Sequence, residues 1–205
     1  MRPEDGRANS NMGRALSAGH GPAWRNPFLT AAPHPYARLV DDVFLKLFDP
    51  ENPPALGPGP RQDRLSIARV DAGLARVLWE SSTRPESRPM IRALALLWHD
   101  HHDAAHALVQ DASGGEGAYI HGMLHRREPD FWNAKYWFRR VGPLPFFKPL
   151  AEQLKRMKGV EALVGGGPFD AARFVDMVEA GASDEVTLKR VQAAEFRVVV
   201  DHLAR

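Results

Sequence analysis

The sequence predicts an all-α fold, in which about seven to eight helices pack as stacked antiparallel hairpins. Beyond residue 35, apolar residues recur mainly at spacings of three and four, which is the period of an amphipathic helix. No segment alternates polar and apolar residues for long enough to predict a strand. Clusters of proline and glycine separate the periodic segments into short helices.

The beginning of the chain differs in composition from the rest. Residues 1–27 contain many Gly, Ser, Asn, Pro and Arg residues and few aliphatic ones, so burial cannot offset the entropy lost on ordering them. We expect residues 1–34 to form a disordered tail and residues 35–205 to form a single all-helical domain. With 44% hydrophobic and 25% charged residues, the chain has the balance of an ordinary globular protein.

Three helices are predicted in the first half of this domain. The first spans residues 36–48, and the proline-rich segment 49–60 that follows is expected to be a loop. A second helix is marked by a stripe of apolar residues: Ile67, Val70, Leu74, Val77 and Leu78. Pro89 suits the first turn of a third helix, which continues with apolar residues as far as Trp98.

In the second half of the domain, the sequence predicts further helices joined by short turns. Helical character continues through residues 103–111 and, after a Ser-Gly-Gly break, resumes and runs to Pro129. Asp130 is the expected N-cap of a helix over 131–141. The remaining predicted helices cover residues 150–158, 169–180 and 185–203.

The absence of cysteine excludes disulfide scaffolds, cysteine-containing zinc sites, iron–sulfur clusters and thiol catalysis. No apolar run approaches the roughly 20 residues that span a bilayer, and residues 1–7 do not lead into the apolar core of a secretory signal. We therefore expect a cytoplasmic protein with no membrane partner. The net charge is only +2 and no recognition-helix motif is present, so nucleic acid is not the predicted partner.

Histidines are concentrated in one segment. Six of the nine lie between residues 99 and 125, where an even spread would place about one: His99, His101, His102, His106, His121 and His125. If one helix runs unbroken through residues 98–111, His99, His102 and His106 fall in one sector of the helical wheel, whereas His101 points elsewhere.

His121 and His125 lie on one face of the next predicted helix because they are four residues apart, and Glu128 follows one turn later. Two adjacent helices that each carry such a pair can direct their imidazoles to one point. Imidazole with carboxylate suits Zn, Fe or Ni better than Mg or Ca. The candidate metal ligands are His99, His102, His106, His121, His125 and Glu128.

A structural role is the alternative interpretation of the same histidines. If the chain makes a hairpin turn at residues 100–102, His99, His102 and His106 no longer lie on one face of a single helix. Imidazoles between helices can also simply hydrogen-bond to backbone and carboxylate groups. Position 122 is glycine, so the HExxH motif of zinc proteases is absent.

Residues 126–140 are rich in arginine and aromatic side chains. Guanidinium groups beside Trp and Tyr can clamp a carboxylate, a phosphate or a sugar ring. The candidate ligand-binding residues are Arg126, Arg127, Trp132, Asn133, Tyr136, Arg139 and Arg140. Alternatively, the arginines pair with nearby carboxylates and the acidic C-terminal third, or this helix presents Trp132 and Tyr136 to a protein partner.

Several segments resemble known families. HGMLHRREPDFWNAKYWFRRVG at 121–142 and VQAAEFRVVVDHL at 191–203 resemble an uncharacterised family of bacterial and fungal helical proteins, which implies a shared fold and no substrate. The spacing of small and aromatic residues from Gly122 to Val141 resembles tetratricopeptide-type hairpins.

ALLWHD at 95–100 resembles the core motif of HD-domain metal phosphohydrolases, which are also all-α. That resemblance implies His99 and Asp100 as metal ligands, with Asp170 or Asp176 as the distal carboxylate. The upstream histidine of that family has no counterpart, because residues 35–98 contain no histidine.

The predicted function is a pocket of histidine, glutamate and arginine that binds a metal ion, a small anionic ligand or both. It lies where residues 99–106 meet residues 121–140. Whether the protein is an enzyme stays open. If it is, a metal-bound water attacking an ester or polarised carbonyl is the simplest chemistry, with His121 or Glu128 as general base. The alternative is a helical-hairpin module for protein–protein interaction in which the histidines are structural.

Overall fold

Eight α-helices form the fold in the part of the chain that the computed structural model describes, which is residues 47–79, 83–165 and 167–205. Helical residues make up 62% of these ranges and none of them forms a strand, so the all-α prediction is confirmed. None of these helices is long and apolar enough to cross a membrane. The helices are α1 (Ile67–Trp79), α2 (Arg88–Trp98), α3 (His102–Val109), α4 (Gly115–Arg127), α5 (Phe131–Phe138), α6 (Phe147–Leu154), α7 (Ala171–Ala180) and α8 (Glu185–Leu203).

Several predictions concern residues outside the described ranges. The tail over 1–34, the domain boundary after it and nearly all of the helix over 36–48 lie there. Leu47 is the last helical residue before the proline-rich segment, and residues 49–60 form neither helix nor strand, as predicted.

The observed helix ends follow capping signals in the sequence. Asp130 and Asp184 cap α5 and α8, each accepting a hydrogen bond from the backbone N–H three residues later. Gly181 ends α7 in a left-handed conformation, with φ of 57°. Helix α6 begins at Phe147 rather than near residue 150, because Pro149 is tolerated in a first turn, where its missing N–H breaks no helical hydrogen bond.

Helix α2 lies at the centre of the packing and contacts α1, α3, α4 and α8. Residues 93–98 are all buried. At the end of the helix, Trp98 packs edge-on against Phe48 and Phe196, with ring centroids 5.3 and 5.2 Å apart. This aromatic cluster anchors α8 and the start of the proline-rich segment to α2.

Consecutive helices pack as pairs, α2 with α3 and α4 with α5, which is consistent with the predicted hairpin arrangement. The resemblance to tetratricopeptide hairpins stays a prediction. Gly122 allows α4 and α5 to approach closely, since a Cβ at this position would lie 2.7 Å from Cε1 of Phe138. The close approach holds the histidine-bearing face of α4 against α5.

The chain leaves helical geometry between α2 and α3, at Asp100. Its φ is 58°, a left-handed conformation that Asp tolerates better than most residues. The Asp100 carboxylate accepts hydrogen bonds from the backbone N–H of Arg61 at 2.8 Å and from the Arg127 guanidinium at 2.5 Å, which hold this turn in place. The prediction of one continuous helix over 98–111 is therefore wrong, and the hairpin-turn alternative is correct.

Candidate metal centre

Three histidines from two helices meet beside the α4–α5 pair. His106 lies on α3, His121 and His125 lie on α4, and one ring nitrogen of each lies within 4.8 Å of the other two. His121 and His125 are only 4% and 8% exposed. Because α3 packs against α4, the predicted i,i+4 pair on α4 gains a third imidazole from the neighbouring helix.

The rings of this histidine cluster contact one another directly. The Nε2 atoms of His106 and His121 lie 3.0 Å apart. The His121 ring stacks on His125, with centroids 4.7 Å apart, and on Trp137, with centroids 4.0 Å apart. Nδ1 of His121 is buried and has no hydrogen-bond partner among the residues that the structure describes, an unfavourable state for a polar atom. The hydrogen bonds of the histidine cluster therefore leave at least one of its buried ring nitrogens unsatisfied.

His125 is oriented by polar residues at the α4–α5 turn. Its Nδ1 lies 3.1 Å from Oε2 of Glu128 and 3.9 Å from Oδ2 of Asp130. Its Nε2 lies 3.1 Å from the side-chain amide nitrogen of Asn133. An ionised carboxylate only accepts hydrogen bonds, so Glu128 favours the tautomer of His125 with the proton on Nδ1. Nε2 then carries the lone pair that can bind a metal, an arrangement common around zinc.

The surroundings of His121 and His125 favour the neutral form of both rings. Burial, together with the neighbouring His125 and His106, lowers the pKa of His121 from 6.5 to about 4. Burial also lowers the pKa of His125, although the charges of Glu128 and Asp130 act in the opposite direction. Neutral imidazole is the form that binds metal. At pH 7 these two candidate ligands are already neutral, so a metal ion would not have to displace a proton from either ring.

His102 lies on the far side of Glu128 from His125. Its Nδ1 is 3.9 Å from Oε1 of Glu128, and burial lowers the pKa of this imidazole. Both residues line an open cavity of about 530 Å³ that also includes Arg64 and Asp103. His102, which the sequence predicted as a metal ligand, therefore lies near the histidine cluster but is not one of its three members.

His99 is separated from the cluster by the turn at Asp100. Its Nε2 lies 2.8 Å from the carbonyl oxygen of Leu47, and its Nδ1 accepts a hydrogen bond from the backbone N–H of Leu65 at 3.2 Å. Both ring nitrogens are therefore used in holding the proline-rich segment, and burial lowers the pKa of this imidazole. The prediction of His99 as a metal ligand is corrected to a structural role.

The residues implied by the HD-domain resemblance also have other partners. Asp100 binds Arg127, Asp170 caps α7 through the N–H of Arg173, and Asp176 pairs with Lys135 at 2.7 Å. Within the described ranges these residues and His99 do not gather into a ligand group.

Arg126 and Arg127 are buried ion-pair partners rather than ligand-binding groups. Arg126 binds Glu195 on α8 through both terminal nitrogens and lies 4.3 Å from the ring centroid of Phe174. Arg127 binds Asp100 at 2.5 Å and donates further hydrogen bonds to backbone carbonyl groups. Both side chains are at most 1% exposed, so the prediction that they contact a ligand is corrected in favour of the alternative, in which the arginines pair with carboxylates.

The other side of α5 carries the exposed aromatic residues. Trp132 is 73% exposed and stacks with Tyr136 at a centroid distance of 6.0 Å. Arg140 donates a hydrogen bond of 3.1 Å to the Tyr136 hydroxyl, and Arg139 is exposed beside it. Of the predicted ligand-binding residues, these four form a surface, whereas Asn133 faces His125.

Two contributors to the site have roles that the sequence analysis missed. Trp137 was not among the candidate site residues, and Asn133 was expected only as one of the ligand-binding residues. The i,i+4 spacing of Asn133 and Trp137 on one face of α5 is the signal that could have grouped them. Comparisons of the chain with protein-family models, curated proteins and solved structures found no match, so a function must be inferred from the site itself.

Proposed function

We propose that this protein binds one divalent transition-metal ion through His106, His121 and His125. The observation that carries the proposal is the presence of three imidazole nitrogens within 4.8 Å of one another in a largely buried position. Two nitrogens bound to one tetrahedral ion by bonds of about 2.0–2.1 Å lie about 3.3–3.4 Å apart, so the three rings would move closer together on binding one ion.

The donor set indicates which metals fit. Three neutral imidazoles favour Zn, Ni or Fe over Mg or Ca, which prefer oxygen. Glu128 supports the set by accepting the Nδ1–H of His125 at 3.1 Å. As a ligand, His121 has no lone pair left for proton transfer. Glu128 therefore remains the candidate general base if a water bound at the centre is activated for hydrolysis.

Titration of the untagged protein with Zn²⁺ and Ni²⁺ by calorimetry tests the proposal. We expect one equivalent of metal to bind to the wild-type chain, and His106→Gln, His121→Gln and His125→Gln each to weaken binding at least tenfold. His202→Gln is the matched control, because His202 pairs with Glu116 at 3.1 Å and lies outside the cluster.

Two results would contradict metal binding at this site. One is a wild-type chain that takes up neither metal. The other is binding that His202→Gln weakens as much as the cluster variants do, which would assign the metal to scattered histidines. Circular dichroism on each variant confirms that the helices are retained before affinities are compared.

The surface of Trp132, Tyr136, Arg139 and Arg140 favours a second candidate function, recognition of an anionic partner. A stacked aromatic pair beside guanidinium groups offers apolar area and positive charge together. A polyglutamate peptide used as a probe should quench tryptophan fluorescence in the wild-type chain and not in Trp132→Ala. Equal responses from the two chains would contradict this candidate.

A further inference from the structure

Helix α5 carries opposite charges at its two ends. Asp130 caps its N-terminal end, and Glu128 lies in the turn just before it. Arg139 and Arg140 follow its C-terminal end, and both are exposed. Within the described ranges, neither arginine forms an ion pair with a carboxylate. The basic end of the helix therefore carries charge that its own chain does not compensate there.

The acidic end is not neutralised by its neighbours either. Glu128 and Asp130 face His125, at 3.1 and 3.9 Å from its Nδ1. Burial lowers the pKa of that imidazole, so at pH 7 the ring brings no positive charge. The Asp130 side chain is 50% exposed. Asp130 and Arg139 lie roughly 13 Å apart along the helix axis, so the two ends of α5 do not neutralise each other within one chain.

Two aromatic rings occupy the exposed face of α5 between the charged ends. Trp132 and Tyr136 are four residues apart on this face, and their rings stack on each other. Trp132 is the more exposed of the two. Lys135, at the edge of the face, is already paired with Asp176 and Glu179. Exposed tryptophan and tyrosine between charged groups are typical of protein interfaces, where such rings supply much of the binding energy.

A second copy of α5 in the antiparallel direction provides partners for all of these groups. If Trp132 lies opposite Tyr136 of the second copy, two-fold symmetry also places Tyr136 opposite the second Trp132. The same register brings Arg140 level with Glu128 of the second copy and Arg139 close to its Asp130, because the sequence numbers in each pair have nearly the same sum. The exposed face of α5 is therefore complementary to itself, both in charge and in apolar area.

We infer that two copies of this chain associate through antiparallel α5 helices, with the aromatic pairs at the centre and arginine–carboxylate pairs at both ends. This inference rests on the second candidate function, because it names the anionic partner of that surface as a second copy of the chain. It does not depend on the metal centre. Two short helices bury less than about 1,200 Å² of surface, so we expect a dissociation constant on the order of 100 μM.

Sedimentation equilibrium of the untagged chain tests the inference, over concentrations from about tenfold below to about tenfold above that constant. We expect the average mass to rise from the monomer value towards twice that value. Trp132→Ala should weaken association about tenfold or more, because it removes the central aromatic contact.

Charge variants test the register of the two helices. The double variant Arg139→Glu/Arg140→Glu places like charges opposite each other and should weaken association about tenfold or more. Asp130→Asn should weaken it by a smaller factor and still cap the helix, because asparagine is an equally good N-cap. Arg69→Glu is the matched control, since it reverses an exposed arginine on α1, and it should associate as the wild type does.

The outcomes separate this inference from the function on which it rests. A wild-type chain that stays monomeric at the highest concentration overturns the dimer, and quenching by polyglutamate in that chain would leave anionic recognition standing alone. Association that Trp132→Ala and the double arginine variant leave unchanged also overturns it, because the interface then lies elsewhere. If Trp132→Ala does not fold, the double arginine variant still decides. Association lost in these variants, with no response to polyglutamate, supports the dimer and contradicts binding of other anionic partners.

Discussion

The Nε2 atoms of His106 and His121 lie 3.0 Å apart, one on α3 and the other on α4. Between neutral imidazoles this distance requires one ring to donate and the other to accept. It is also close to the separation of two ligands on one zinc ion. The packing of α3 against α4 thus brings two candidate ligand atoms to this separation, which would leave little conformational entropy to be lost if a metal binds.

We predict that acid destabilises the protein well before its carboxylates titrate. The pKa values of His99, His102, His121 and His125 are all lowered in the fold, chiefly by burial. The unfolded chain therefore binds protons that the folded chain excludes. Stability is complete above the unfolded pKa near 6.5 and falls as the pH drops towards about 4, with up to about 3 kcal/mol from His121 alone.

Urea unfolding of the metal-free protein at pH 7.5 and pH 5 measures this effect. His121→Phe is the informative variant, because it keeps an aromatic ring against Trp137 and removes the titrating group. Its free energy of unfolding should fall less between the two pH values than that of the wild type. A wild-type stability that is the same at both pH values would contradict the prediction.

Metal binding should tolerate mild acid better than an exposed histidine cluster does. Three ordinary imidazoles competing with protons would cost up to about a thousandfold in affinity per pH unit below 6.5. The lowered pKa values of His121 and His125 remove much of this competition. Calorimetric titrations with Zn²⁺ at pH 7 and pH 5.5 should show a far shallower loss, and the full thousandfold slope would argue against a buried site.

The buried pair of Arg127 and Asp100 should matter more than any exposed ion pair. Arg127→Met leaves the buried Asp100 carboxylate with the Arg61 guanidinium, 3.9 Å away, as its remaining counter-charge and should cost about 3 kcal/mol of stability. Adding Asp100→Asn to that variant should recover part of the loss. Arg92→Met is the control: its partner Asp71 is 41% exposed, and the loss should stay within about 1 kcal/mol. Equal losses for Arg127→Met and Arg92→Met in urea unfolding would refute this account of the turn.

Gly122→Ala should destabilise the α4–α5 pair. The new methyl group would meet the Phe138 ring at 2.7 Å, and such overpacking costs roughly 1–3 kcal/mol. Phe138→Leu in the same chain should relieve part of the strain. Gly165→Ala, which has nothing within 4 Å of its added methyl group, should be nearly neutral. Thermal unfolding of the four chains gives the comparison, and a neutral Gly122→Ala would mean that the crossing is looser than described.

Local patterns predicted the helices and half of the site. Proline, glycine and aspartate mark several helix ends, and the i,i+4 spacing put His121 and His125 on one face of α4. The helical-wheel projection that grouped His99 with His106 required one unbroken helix from residue 98 to residue 111. The left-handed turn at Asp100 broke it, and that turn depends on Arg61 and Arg127, which are distant in sequence.

The same limit explains the arginines. The sequence left two interpretations of Arg126 and Arg127, contact with a ligand or pairing with carboxylates that include those of the acidic C-terminal third, and Arg126 does bind a carboxylate of that third. Their partners Glu195 and Asp100 are 69 and 27 residues away, and nothing in the spacing of the chain indicates these pairs. Composition indicated that the arginines can pair with the acidic C-terminal third, but neither composition nor periodicity identifies the particular carboxylate that each arginine binds.

The central claim is that His106, His121 and His125 hold one metal ion. Zinc-edge X-ray absorption of the wild-type protein loaded with one equivalent of Zn²⁺ tests it most directly. The account predicts three imidazole nitrogens at about 2.0–2.1 Å, together with one oxygen at a similar distance. A first shell with fewer than three imidazoles, or zinc that is lost on buffer exchange, would contradict it.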